Sequence, residues 1–281
     1  MDVIRRRPLR SVPIIPTLIT LGNAFCGFLA VGYVLQARAV PEEFGRWIGW
    51  AGRCIFFGMI LDAVDGTVAR LMKSSSSFGE ELDSLSDIVT FGVAPALIVK
   101  VVADQQGLFE RTGWTTSALF LLCATLRLAR FTAETSQNEE SHRYFKGLPT
   151  PAAAGFIAAI TIMFSELREH AAAGQEFAAL ARALEGLMDG LLYSLPFVAV
   201  ILAVLMVSSI RYPHAINRLL RGHKPKNYFV LLILIVVLAV AFKPFSLPVF
   251  FGVYILIGII GAIKEMLFTR IPPKSTQHKA E

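Results

Sequence analysis

Charge is scarce in this sequence. Asp, Glu, Lys and Arg make up 17% of its 281 residues, against about a quarter in a soluble domain. With 54% hydrophobic residues and a mean hydropathy of +0.58, that shortage excludes an ordinary soluble globular protein and predicts an all-α polytopic membrane protein. Thiols are few as well. Cys26, Cys54 and Cys123 lie far apart inside apolar stretches, with neither metal-ligand nor redox spacing, and read as small buried hydrophobes. The five histidines (His142, His170, His214, His223, His278) show no ligand spacing either. No extramembrane stretch is long enough for a second domain. The net charge of +6 and pI near 9.4 come from basic residues at the ends of apolar runs, not from one patch interleaved with aromatics, so nucleic acid is not an expected partner.

What is present is a series of apolar runs, and a helix needs about 20 residues to cross a bilayer. Eight segments qualify as candidates: Thr17–Gln36, Trp47–Leu71, Leu85–Val102, Thr115–Ala129, Thr150–Phe164, Leu191–Ile210, Tyr228–Phe242 and Leu247–Ile263. Lipid leaves the backbone to satisfy itself, so each is expected to be a helix. The stretch Ser165–Gly190, rich in Ala, Leu and Glu, is expected to form an interfacial helix. The opening "MDVIRRRPLRSVP" has signal-peptide character, but the apolar run after it is too long for an h-region and contains Asn23. An uncleaved first helix is the expectation, with residues 1–15 a basic interfacial segment drawn to anionic lipid. Residues 16–270 then form a single transmembrane domain, and 271–281 a polar tail.

If the eight helices alternate from a cytoplasmic amino terminus, 19 of the 27 Lys and Arg fall on the cytoplasmic side, as the positive-inside rule requires. Both termini and the stretch between the second and third helices are then cytoplasmic.

That stretch, "LDAVDGTVARLMKSSSSFGEELDSLSD", carries four aspartates beside the membrane, where an uncompensated carboxylate is costly. Asp62 and Asp65 are three apart and share a helix face. Gly66 and Ala69 beside them leave room for a ligand. Gly79, Asp83 and Asp87 repeat the device at intervals of four. Folding one helix back on the other converges four carboxylates, and hard oxygen donors in that number suit one or two Mg²⁺ or Mn²⁺ ions. Arg70, one turn on, is placed to meet phosphate. Two other readings use the same residues: solvated loop charges, which Glu80 and Glu81 fit, or the pathway of a cation transporter. Asn23, polar within an apolar helix, is expected to hydrogen-bond toward an aspartate or to pack against a neighbouring helix.

The pattern Asp62-x-x-Asp65-Gly66-x-x-Ala69-Arg70, then Gly79, Asp83 and Asp87, resembles the CDP-alcohol phosphotransferase signature at every fixed position. The resemblance implies a membrane-embedded helical enzyme, usually a homodimer, that moves a substituted phosphoryl group from a CDP-linked donor to an alcohol and releases CMP. It also implies that Asp62, Asp65, Asp83 and Asp87 ligate metal and that Asp87 is the general base. Gly66, Ala69, Arg70 and Gly79, with Asn23 nearby, would line the cytidine diphosphate pocket. "PTLITLGNAFCGFLA" (16–30), "DSLSDIVTFGVAPA" (83–96), "LRLARF" (126–131) and "YFKGLPTPAAAG" (144–155) are similar to the phosphatidylserine synthase branch of that family. The implied substrates are CDP-diacylglycerol and L-serine. Arg127, Arg130 or Lys146 would hold the serine carboxylate, arginine being preferred for its bidentate geometry, unless they are ordinary positive flanks. Glycerol 3-phosphate, an inositol phosphate or choline stands as an alternative acceptor.

Overall fold

A computed structural model describes residues 14–71, 77–135, 144–173, 178–213 and 245–268. The chain is an all-α polytopic membrane protein. Helix α1 (Ile14–Ala39) is followed by a short 3₁₀ turn (Pro41–Glu43) and by α2 (Phe44–Leu71), which packs back along it. Helix α3 (Ser77–Asp87) passes through a π-helical turn (Ile88–Val93) into α4 (Ala94–Gln105) without a break. The π turn has a local cause. Pro95 has no N–H to donate and its ring crowds the preceding turn; the extra residue relieves this, and the Ala94 N–H bonds back to the Val89 carbonyl.

Gly107, at φ 68°, turns the chain into α5 (Glu110–Thr135). A short strand β1 (Tyr144–Lys146) precedes α6 (Thr150–Ala173) and α7 (Ala178–Val207), and pairs antiparallel with β2 (Arg211–Pro213). The last described helix is α8 (Ser246–Phe268). Gly147 (φ 85°) joins the ribbon to α6 where a Cβ would lie 2.2 Å from the Met206 carbonyl oxygen, so only glycine fits.

Six helical stretches among the described residues are long and apolar enough to cross a membrane: Ile14–Ala39, Pro41–Val68, Phe78–Gln105, Thr150–Ala171, Gly186–Val207 and Ser246–Lys264. Helix α5 is long enough, but it carries Glu110, Arg111, Arg127 and Arg130 and does not reach that apolarity. The seventh candidate segment, Tyr228–Phe242, lies outside the described residues, as do residues 1–13 and 271–281. Among the described residues of Ser165–Gly190 there is no helix separate from α6 and α7. The first part of that stretch continues α6 to Ala173 and its last part begins α7 at Ala178, since Ala, Leu and Glu propagate a helix already begun.

Helix α6 is central and nearly enclosed, whereas α8 lies at the edge and turns Phe250, Ile257 and Ile260 outward. Phe251 of α8 fills the space left by Gly155 of α6 and meets Phe56 of α2 edge-on at 5.6 Å. Leu247 and Phe250 line one apolar groove with Ala63, Val64 and Thr67 of α2.

Candidate active site

The aspartates meet at the end of the bundle where α2 finishes and α1, α3 and α6 begin. Asp62, Asp83 and Asp87 each offer a carboxylate oxygen within 4.8 Å of the others. Asp62 and Asp83 are half-buried and Asp87 is buried. Two helices place them, and each helix does so through its own period: α2 presents Asp62 and Asp65, while α3 presents Asp83 and Asp87 four residues apart.

Asp65 stands apart from this trio. It is buried, and its Oδ2 accepts a hydrogen bond from the Thr20 hydroxyl at 2.8 Å. It remains within electrostatic reach of Asp83 and Asp87. The four carboxylates expected to converge are thus three in one cluster and a fourth held by α1 beside it.

Asn23 is fully buried and donates from Nδ2 to Asp87 Oδ1 at 3.0 Å. Its backbone carbonyl accepts from the Thr90 hydroxyl at 2.8 Å, which ties α1 to the π turn directly after Asp87. The bond from Asn23 to an aspartate, one of its expected roles, is made here.

The trio fits a divalent cation. Asp83 Oδ1 is buried without a hydrogen-bond partner, and a buried carboxylate oxygen in that state calls for compensation. Three hard oxygen donors gathered from two helices provide a set that Mg²⁺ or Mn²⁺ prefers.

Around the aspartates, Gly66 is exposed, and a Cβ there would meet nothing within 4 Å, so this side of α2 is open to a ligand. Gly79 is half-buried on α3. Ala69 and Arg70 lie in the last turn of α2, and Lys146 in β1, each described by its backbone alone. Arg127 of α5 is half-buried, donates from Nη1 to Thr150 Oγ1 at 2.8 Å, and lies within electrostatic reach of Asp87 and Tyr254. Arg130, three residues on, is exposed. Of the basic residues expected near the acceptor, Arg127 is thus seen within electrostatic reach of an aspartate.

Thr20, Thr90, Thr150 and Tyr254 were not singled out by the sequence. Thr20 had a visible signal, because it sits three residues before Asn23 in an apolar helix and therefore on the same face. The other three depend on which helices pack together.

A family model described as CDP-alcohol phosphatidyltransferase matches residues 13–185. The CDP-diacylglycerol–serine O-phosphatidyltransferase of Helicobacter pylori strain 26695 is 33% identical over 254 residues, covering 90% of this chain and 92% of that protein. The Bacillus subtilis protein of the same name is 38% identical over 137 residues, 49% of this chain and 69% of its own length. That of Saccharomyces cerevisiae is 37% identical over 138 residues, 47% of this chain and 48% of its own.

Proposed function

Because the chain belongs to the CDP-alcohol phosphatidyltransferase family, we propose that it transfers the phosphatidyl group of CDP-diacylglycerol to the hydroxyl of L-serine, giving phosphatidylserine and CMP. The observation that carries the reaction type is the Asp62, Asp83 and Asp87 cluster on the two signature helices. The choice of serine rests on relatives that bear that name, one of them similar across nearly the whole chain.

In this reading the serine oxygen attacks the phosphorus that carries the diacylglycerol, and the bond from that phosphorus to the bridging oxygen breaks, releasing CMP. Asp87 accepts the hydroxyl proton, and the Asn23 amide holds its carboxylate in one orientation. Asp62, Asp83 and Asp87, with Asp65 beside them, would hold one or two Mg²⁺ or Mn²⁺ ions, and such ions supply positive charge for a diphosphate and its leaving group. Gly66, Ala69, Arg70 and Gly79 line the cytidine diphosphate pocket. Arg127 grips the serine carboxylate as a fork, a geometry lysine does not offer.

The reading extends to placement. The excess of Lys and Arg supports a cytoplasmic face for the site, within a single domain over residues 16–270 of a cytoplasmic-membrane protein. Alternation of the membrane helices puts both termini on that same face. A homodimer follows from the family resemblance.

Purified protein in detergent, given CDP-diacylglycerol and Mn²⁺ or Mg²⁺, is expected to release CMP with L-serine and not with glycerol 3-phosphate, inositol phosphate or choline. Asp87→Asn is expected to abolish the release. Turnover with another alcohol and none with serine would keep the chemistry and overturn the acceptor. Absence of metal-dependent release with every alcohol would overturn the reaction, and cation flux in sealed vesicles would then identify a transporter.

A further inference from the structure

We propose that Thr20 and Asn23 of α1 are positioning residues that orient Asp65 and Asp87 for a divalent cation, so that α1 forms an outer layer of the metal site. The inference rests on the metal-binding reading above. Neither residue belongs to the aspartate signature, and each reaches a carboxylate on a different helix. Thr20 Oγ1 donates to Asp65 Oδ2 on α2 at 2.8 Å, and Asn23 Nδ2 to Asp87 Oδ1 on α3 at 3.0 Å. All four side chains are buried, with at most 8% of any of them exposed.

A donor on one oxygen stops the carboxylate from turning about its last bond and leaves the other oxygen free to ligate. Donors of this kind are worth about 10- to 100-fold in metal affinity. The Thr20 hydroxyl also lies 3.0 Å from the Pro16 carbonyl. The two acceptors compete for its single hydrogen, and the charged Asp65 carboxylate, at 2.8 Å, is the stronger of them.

Close packing brings α1 within reach. A Cβ on Gly58 would lie 2.9 Å from Asn23 Oδ1, and one on Gly22 would lie 3.1 Å from Leu61 Cδ1. The absence of both lets α1 approach α2 closely enough for a side chain as short as threonine to touch Asp65. The Thr90 bond to the Asn23 carbonyl then fixes α1 against the helix that carries Asp87.

The test is Mn²⁺ binding to the full-length protein in detergent, followed by the free-ion electron paramagnetic resonance signal and without substrate. Thr20→Val is expected to raise the Mn²⁺ Kd about 10- to 100-fold. Thr20→Ser, which keeps the hydroxyl, is expected to bind near wild-type affinity. Asn23→Leu is an independent arm with the same expected loss, should Thr20→Val fail to fold; melting curves in EDTA identify a misfolded variant. Folded valine and leucine variants that bind Mn²⁺ as tightly as wild type would overturn the inference alone. Wild type that binds Mn²⁺ no better than Asp87→Asn would overturn the metal reading of the site, and this inference with it.

Discussion

Arg127 of α5 donates from Nη1 to the Oγ1 of Thr150, the first residue of α6, at 2.8 Å. The bond joins two helices across the loop between them and leaves the guanidinium directed to the aspartate end of the bundle. A hydrogen bond to a charged group is worth about 1.5–3 kcal/mol, so losing the fork on a serine carboxylate changes affinity by roughly 10- to 100-fold. Arg127→Lys is expected to raise the serine KM by about that factor while the KM for CDP-diacylglycerol stays close to wild type. Thr150→Val removes only the tether and is expected to move the serine KM less. CMP release measured against serine concentration checks both.

Gly27 faces the π turn. A Cβ at this position would sit 2.5 Å from Thr90 Oγ1, 2.8 Å from its Cα and 2.9 Å from its backbone nitrogen. Two of these atoms are backbone, so no rotamer change relieves the overlap and α1 has to move away from the segment that follows Asp87. Gly27→Ala is expected to lower stability by about 1–3 kcal/mol and to reduce turnover as well. Gly32, on the same helix, has nothing within 4 Å of a Cβ. Gly32→Ala is therefore expected to hold the melting temperature or raise it slightly, since alanine is the better helix former. Melting curves in one detergent compare the pair.

Much of this site is legible in residue spacing, because the helical period alone puts Asp62 with Asp65 and Asp83 with Asp87. Spacing does not give the rotation of one helix against another. Asp65 therefore reads as equivalent to Asp62 until Thr20 is seen beside it, and Arg127 as equivalent to Arg130 until α6 is seen to pack on one side of α5. The apolar runs likewise locate helices but not their neighbours. Phe251 fits against Gly155, a match between residues 96 positions apart that no local pattern contains. The π turn has a local signal as well, since Pro95 lies about two turns into the apolar run that begins at Ile88.

Three carboxylates within 4.8 Å of one another repel in the absence of a cation. The protein is therefore expected to melt lower in EDTA than with Mn²⁺ at 100 times its Kd, where linkage supplies about 2.7 kcal/mol. Asp83→Asn removes one of the repelling charges and is expected to raise the melting temperature in EDTA while erasing the Mn²⁺ shift. Function and stability move in opposite directions here, as they do at many active sites. Calorimetry in the two buffers separates the effects. Asp87→Asn, which also removes the base, is expected to lower kcat by about 10²- to 10⁴-fold even with metal present.

The far end of α4 carries a buried charge apart from the aspartates. Lys100 is 3% exposed, pairs with Asp104 one turn on, and lies over the Trp114 ring at 5.0 Å. The two partners differ in their access to solvent, for the Asp104 side chain is 28% exposed. Removing either one is therefore not equivalent. Asp104→Leu strands an ammonium that has lost its counter-ion and keeps only the indole face, at a cost of about 3–5 kcal/mol. Lys100→Met leaves a carboxylate that water still reaches, and is expected to cost about 1 kcal/mol. The double variant removes both charges and is expected to be more stable than Asp104→Leu alone, because no buried charge remains. Lys100 lies 13 residues beyond Asp87, about 20 Å along a helix, so the KM for both substrates is expected to hold in all three variants. Chemical or thermal melts of the set, with KM measured alongside, would expose a different arrangement if Lys100→Met proved the more damaging change.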